Sequence, residues 1–545
     1  VTHSMIRTDF TAALFSALLL LLGGLGGVPA AGQELPWLKG GQVSVDLAPS
    51  FWAWDSRFGY RVGPSGSMVE ETEPLAHELN SQALGSGPIP LLQGLEASLR
   101  NALQDESFSV RLGASHSIIE QSRLTFPIRL DVGVTDWLTL GAMVPFHRPR
   151  TEMSFFLDPD STSANVGLSP QLTAPSQVAG FVSEFQAALD AAQNVAPGSP
   201  ALLEAQRFLS ALGAAYSQSS VFPISGSQAG GALQGRLEEI RTSLESQGVT
   251  GLPQDIPLAE TYLDREGFNE FLASNGMRAF PLEDWTDFWS IGDVELTARF
   301  RLFRHGFEAD SLGNLPDLRF QVGAGALLRL GTGTQADPNR FFDLDPADGQ
   351  MDLEGSVFGL VEYGRRLGAW GRLRRGIQKE GTVVRRISSP EQVLPSVYSR
   401  APLYWSPGNY VDLELNPRFY FTPEMTFGIR YHLWHKGQDA YTIQPIDPET
   451  QRALDLPHSS LLEMETKETL HEVAFTATYS TLAPNERGET PIPMMIRFAY
   501  FHPVAGSGGQ TPKGGRLQVG LTLFRTFWGG DGEQGETTEG AAGGG

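Results

Sequence analysis

The chain has 545 residues, 41% hydrophobic and 19% charged, with 61 Gly, 36 Pro, no Cys and a formal net charge of −22. The charged share is below the ~25% of an ordinary soluble domain and Gly is above its usual ~7%, a balance suited to turns and extended segments. The acidic excess argues against a nucleic-acid binder, and the lack of Cys excludes disulfides and an N-terminal lipidated Cys.

The first 31 residues read as a cleavable signal peptide. Arg7 follows Met5, Ala12 to Leu22 form an apolar run, and Val28-Pro29-Ala30 offers small residues for cleavage. No later stretch reaches 18 consecutive apolar residues, so no transmembrane helix is expected. An exported chain of this kind is periplasmic, secreted or a membrane barrel.

Alternation favours the barrel. From Leu124, the residues Phe126, Ile128, Leu130, Val132 and Val134 share one face, opposite Thr125, Arg129, Asp131 and Gly133. After a turn at Thr135-Asp136, Leu138, Leu140, Ala142, Val144 and Phe146 resume the pattern. It recurs from Val294 to Leu302, from Leu318 to Leu330, from Val411 to Phe421, from Met425 to Leu433, from Val473 to Tyr479, from Ile492 to Tyr500 and from Leu517 to Leu523. A soluble β-sandwich also alternates. Long strands, charges in mid-strand and alternating short and long connections point instead to an all-β fold, a transmembrane antiparallel up-and-down β-barrel of about 12 strands. Ten or fourteen strands also fit, because Gly368–Ile377 alternates poorly and Phe108–Ala114 alternates too, extending the second strand or adding another. This parity puts both termini on the periplasmic side. Aromatic residues at strand ends (Trp52, Trp54, Trp137, Phe155, Phe156, Trp370, Tyr410, Trp434, Phe527 and Trp528) are expected to form interfacial girdles.

The expected organisation is a signal peptide (1–31), N-terminal barrel strands (32–157) with a loop at 58–121, a helical extracellular insert (158–290), C-terminal barrel strands (291–528) and an acidic, Gly-rich disordered tail (529–545). The insert carries helical stripes at Val178/Phe181/Phe185/Leu189, at Leu202/Ala205/Leu209/Leu212 after Ser199-Pro200, and at Leu233/Leu237/Ile240/Leu244 before Gly248. Pro90 to Leu103 offers another short helix. The insert is expected to act as a cap or plug, or simply to cover the mouth.

The hairpin Phe126–Phe146, with Gly133, Thr135-Asp136, Gly141 and Pro145-Phe146, resembles the MetA-pathway of phenol degradation family. Gly292-Asp293-Val294-Glu295-Leu296 is similar to that family's second recurring element. The resemblance implies an outer-membrane barrel and uptake of small, aromatic compounds. The chain departs from the family in placing Asp131 near the position of the family's Arg, in the size of its insert and in continuing past Phe527-Trp528, the kind of aromatic end read by the barrel assembly machinery.

No catalytic constellation, P-loop or zinc-binding motif is present, so no enzyme activity, cofactor or metal is expected. His432 and His435 should face opposite sides of one strand. Asp343, Asp345, Asp348 and Asp352 lack calcium-loop spacing, since Ala347 breaks it, and read as a solvated acidic loop. The expected lumen-lining residues are Arg129, Asp131, Glu295, Arg299, Arg301, Arg319, Arg329, Glu414, Arg418, Arg430, Glu472 and Arg497. Such a lining sets the selectivity of an open pore or fills a closed one with ion pairs. Arg365, Arg366, Arg372, Arg374 and Arg375 read as a solvated turn in preference to a constriction. Expected partners are outer-membrane lipid, the barrel assembly machinery and a small-molecule solute, with no nucleic acid. The principal reading is a passive channel or transporter; the alternative is a structural or partner-binding barrel using its cap.

Overall fold

The structure is a computed structural model that describes residues 37–62, 68–160, 162–275, 285–286, 289–307, 315–335, 337–338, 344, 349–445, 456–482 and 492–528. The expected signal peptide, the C-terminal tail and Asp343, Asp345 and Asp348 lie outside the described residues.

Twelve antiparallel strands close into a barrel. In chain order they are β1 (Gln42–Leu47 continued by Ser50–Val62), β2 (Arg111–Thr135), β3 (Leu138–Asp158), β4 (Ser290–Ile291 continued by Glu295–His305), β5 (Leu318–Arg329), β6 (Asp352–Tyr363), β7 (Leu367–Gln378), β8 (Tyr410–Tyr420), β9 (Met425–Lys436), β10 (Glu468–Ser480), β11 (Met494–Ser507) and β12 (Thr511–Thr526). Each strand pairs with the next. The ring shuts where β12 pairs with β1, with Leu521 opposite Leu47 and Gln518 opposite Ser50. Both described chain ends meet at one rim: the Gly40 N–H donates to Asp136 in the β2–β3 turn, and Phe527 N–H donates to the Gly41 carbonyl. The opposite rim, the loop end, carries the long connections. The loop expected at 58–121 is shorter than its bounds, because the strands themselves run to Val62 and from Arg111.

The outward faces are apolar around the whole ring. Val45, Leu130, Leu140, Leu296, Val357, Leu373, Leu415, Ile429, Phe475 and Leu523 all stand exposed on eleven-residue or longer strands of the sheet or on its first segment. In water such a belt would be far larger than the few hundred Å² a monomer normally exposes. At the rim that holds the chain ends, Trp137, Phe303, Tyr363, Phe421, Phe527 and Trp528 are exposed and form an aromatic girdle. A closed sheet with no edge and an apolar exterior is the form in which β-structure crosses lipid. The chain is a membrane-spanning β-barrel. None of its described helices is long and apolar enough to cross a membrane.

The girdle expectation needs correction. Trp54 is buried and donates to Gln121, Tyr410 stacks on Trp434, and Phe155 lies in the helical cap. Strand parity, not proximity to a strand end, decides which aromatic residues face lipid.

At the loop end, β2 and β3 (25 and 21 residues) outrun their neighbours and rise as an arm. The arm supports α1 (Gln93–Leu103), α2 (Pro175–Val195), α3 (Pro200–Gln218), α4 (Gln228–Glu245) and α5 (Arg265–Ser274). Local signals start these helices. Pro175 and Pro200 occupy first-turn positions, and Ser199, Ser227 and Asp264 accept from Leu202, Gly230 and Gly267 backbone N–H groups. The apolar stripes meet in one core with Leu112, Ile119, Met153 and Phe155 of the arm, and Phe155 stacks on Phe268 at 5.2 Å. Leu394, from the β7–β8 connection, joins the same core. A separate three-stranded sheet (Gly381–Arg386, Arg400–Ser406, Ala440–Ile443) stands over the barrel's other side.

The belt yields a test. Ile429→Arg, on the outer face of β9, should destabilise the folded barrel by about 2–4 kcal/mol in a lipid-based unfolding titration. Wild-type stability in that variant would contradict the belt.

Candidate functional site: a charged lumen closed at one rim

Alternation that turns apolar side chains outward turns every second residue inward. A cavity of about 620 Å³ occupies the lumen. Its wall includes the expected Arg129, Asp131, Glu295, Arg299, Glu414, Arg430 and Arg497.

The lumen charges form chains that run around the wall. Along one row, Glu354 of β6 meets Arg374 of β7 at 3.5 Å, Arg374 meets Asp412 of β8 at 2.5 Å, and Asp412 meets His432 of β9 at 3.0 Å. The row continues from His432 to Glu472 of β10 at 2.8 Å and from Glu472 to Arg516 of β12 at 2.9 Å. A second row joins Arg372 to Glu414 at 2.5 Å and Glu414 to Arg430 at 3.7 Å. On the far wall Asp131 takes Arg299 at 2.5 Å and Arg129 at 3.5 Å, and Arg497 pairs with Asp46. Arg329 bridges Glu295 and Asp352 at 3.0 and 2.6 Å. Toward the rim of the chain ends, Arg319 pairs with the fully buried Glu362 at 3.1 Å, Tyr420 donates to Glu362 at 2.6 Å, and Arg418 lies over the Tyr420 ring.

Several of these pairs skip a strand, and glycine makes that possible. Asp131 of β2 crosses Gly141 of β3 to reach Arg299 of β4; a Cβ at Gly141 would overlap the Asp131 carboxylate. Arg497 of β11 likewise passes over Gly520 of β12 to reach Asp46 of β1. On β7, Gly376 and Gly368 leave room for Tyr410 and Tyr420 of β8 to donate to Glu354 and Glu362 of β6. An inward side chain on the intervening strand would hold such partners apart.

The N-terminal segment closes one mouth. Trp37 and Leu38 are each 3% exposed, although they precede the first strand. The Leu38 N–H donates to Thr139 of β3 at 2.8 Å, while its side chain packs on Met495 of β11 and Phe524 of β12. Trp37 stacks on Phe358 of β6 at 5.5 Å. Contacts to walls on opposite sides of the ring mean that this segment spans the lumen. Phe358 has space there because β5 presents Gly323, where a Cβ would overlap its ring.

At the loop end a second cavity of about 580 Å³ forms a vestibule whose lining includes Trp54, Arg57, Glu78, Arg385, Arg386 and Trp405. Burial, with Arg400 adding repulsion, lowers Arg386 to about 10, so it is still a cation at neutral pH.

Five expected lumen residues lie outside the cavity lining: Arg319, Arg329, Arg418 and Glu472 sit beside other lumen groups above or below it, and one is placed differently. Arg301 sits at the rim beside a β-bulge, where its N–H donates to the Trp137 carbonyl at 2.8 Å, and it does not line the cavity. The reading of the basic cluster as a turn holds for Arg365 and Arg366, between β6 and β7, but Arg372 and Arg374 project into the lumen. Sequence reasoning also left out Asp46, Asp352, Glu354, Glu362, Asp412, His432 and Arg516. Asp412 and His432 stood at inward alternation positions and were readable. His432 and His435 do face opposite sides, His435 bonding Thr469.

Asp412, Glu414 and His432 come close enough to hold a metal ion. Their ligand atoms are already engaged: both His432 nitrogens meet carboxylates, and Arg374 and Arg372 take Asp412 and Glu414. The arrangement is an ion-pair network.

No family profile and no curated protein matches the sequence. Among solved structures, an outer-membrane channel of the COG4313 group from Pseudomonas putida F1 is similar at 9% identity and a TM-score of 0.38, over 92% of this chain and 100% of that one. The Ralstonia pickettii toluene transporter TbuX is similar at 10% identity and a TM-score of 0.27, over 93% and 96%. The translocator domain of the autotransporter NalP from Neisseria meningitidis is similar at 7% identity and the same TM-score, over 96% and 98%.

The glycine gaps make a specific test. Gly141→Val should cost about 1–3 kcal/mol by crowding Asp131 and Thr297. Gly355→Val, on the outer face of β6 with open space around it, should change thermal stability little. Equal effects at the two sites would contradict the gap argument.

Proposed function

We propose that the chain is a channel for small solutes in the outer membrane, with its loop end outside and the lumen cavity as the solute path. The observation that carries this reading is a water-accessible cavity of about 620 Å³ inside a closed barrel, with charged walls and a floor made of a short N-terminal segment rather than of strand side chains. A barrel built only as an anchor could fill its lumen with packed side chains, as small barrels do. A mixed-charge wall instead selects among dissolved species.

In this reading the vestibule between the helical cap and the three-stranded sheet collects solute, and Trp37-Leu38 is the barrier on the periplasmic side. The cap shapes the entrance from one side, since the arm of β2 and β3 carries it. No enzyme activity is assigned: Asp412, Glu414, His432 and Glu472 are held in ion pairs. Membership of the MetA-pathway of phenol degradation family, and an aromatic cargo, belong to this proposal through the Phe126–Phe146 hairpin. Export by residues 1–31 and recognition of Phe527 and Trp528 by the barrel assembly machinery belong to it as well.

Planar-bilayer recording tests it. The wild-type chain should show small unitary conductance, and the double variant Trp37→Ala/Leu38→Ala should raise it severalfold without altering the heat-modifiable mobility of the folded barrel. A folded double variant with no conductance at all would overturn the channel reading.

A further inference from the structure

The lumen of this strongly acidic chain is not acidic. Seven arginines and six carboxylates line the 620 Å³ cavity; from outside the lining, Arg329 holds Glu295 and Glu472 holds Arg516. The sharing is uneven as well. Asp131 serves both Arg129 and Arg299, and Glu414 serves both Arg372 and Arg430. The Nε atoms of Arg299 and Arg372 are buried and make no hydrogen bond, and that of Arg129 has Asp131 at 3.5 Å, too far for a good one. Buried donors of this kind are costly unless something accepts from them. A guanidinium offers a planar fork of donors that matches a carboxylate.

Flat apolar surface adjoins these arginines. Arg372 lies 5.6 Å from the centre of the Trp370 ring, and Arg430 lies 6.0 Å from it. Trp370 lines the same cavity. The volume exceeds what a few waters need and suits a small ring with its hydration.

We propose that the lumen cavity binds a small organic carboxylate with a flat apolar body. Its carboxylate accepts from Arg129, Arg299 and Arg372, and its ring lies against Trp370. The inference deepens the channel reading and rests on the lumen being reachable by solute. It makes the cavity a selectivity site for organic anions, with the arginines that share a carboxylate drawing the anion in and the ion-pair rows holding them in place.

The test uses the full chain, folded in detergent, with benzoate as probe, read by tryptophan fluorescence and calorimetry. Benzoate should bind at least tenfold more tightly than benzyl alcohol, its neutral counterpart, and more tightly than acetate, which lacks the ring. Arg129→Gln, at a side chain with only a 3.5 Å partner, should weaken benzoate at least tenfold and leave benzyl alcohol unchanged. Should that variant fail to fold, the wild-type ranking of the three probes decides alone. Equal binding of benzoate and benzyl alcohol, or benzoate no tighter than acetate, overturns the proposal. Because this readout needs no membrane, an intact conductance without benzoate binding defeats the anion site and leaves the channel standing. Benzoate binding without conductance defeats the channel and leaves a binding site.

Discussion

Closure of β1 against β12 is the constraint on which the rest of the structure depends. A barrel in lipid cannot leave backbone groups unpaired, because each would cost several kcal/mol with no water to satisfy it. Once Leu47 lies opposite Leu521 and Ser50 opposite Gln518, every strand has two neighbours and two faces of opposite character. The outer face has to be apolar because lipid is its solvent. The inner face is confined, so its charges have to find partners within a few ångströms. The rows from Glu354 to Arg516 and from Arg372 to Arg430 are the consequence.

Confinement also explains where glycine occurs on inward positions. Neighbouring strands lie ~4.8 Å apart, so partners two strands apart meet only over a strand with no side chain between them. Gly141, Gly368, Gly376 and Gly520 are four such places. The same device on β5 seats Phe358, which in turn anchors Trp37. The floor of the lumen is therefore specified by the wall. The loop end follows a different logic: its helices bury a conventional apolar core against one overlong hairpin, and this can be built without touching the lumen.

How much of this the sequence disclosed follows from which interactions are local. Strict alternation in Leu124–Phe146, Leu318–Leu330 and Met425–Leu433 made strands, parity and strand number readable, because the period-2 pattern lies within each strand. The helices were readable from stripes and starts such as Ser199-Pro200, and α5 was missed because its ten residues give a short pattern. β7 read poorly for a reason internal to the fold: Gly368, Gly371 and Gly376 interrupt its pattern, and the first and last are the gaps that inter-strand contacts need. Arg372 and Arg374 were consequently read as part of a turn. The ion pairs themselves were not readable. Which carboxylate meets which arginine depends on register across the barrel, as with Asp46 and Arg497, 451 residues apart. The plug was hidden because nothing in Trp37-Leu38 as a sequence says that it folds back into the barrel.

The most direct measurement of the central claim, a closed barrel with lipid outside and a charged lumen inside, is a nitroxide accessibility scan along β9. The chain has no Cys, so single cysteines from Met425 to Lys436 can be labelled without background. In lipid bilayers, labels at Phe427, Ile429, Tyr431 and Leu433 should collide with oxygen and be shielded from a polar nickel reagent, while labels at Gly428, Arg430 and His432 should not show that lipid signature. A strand on which all these positions respond alike, or on which the two sets exchange, would contradict the account.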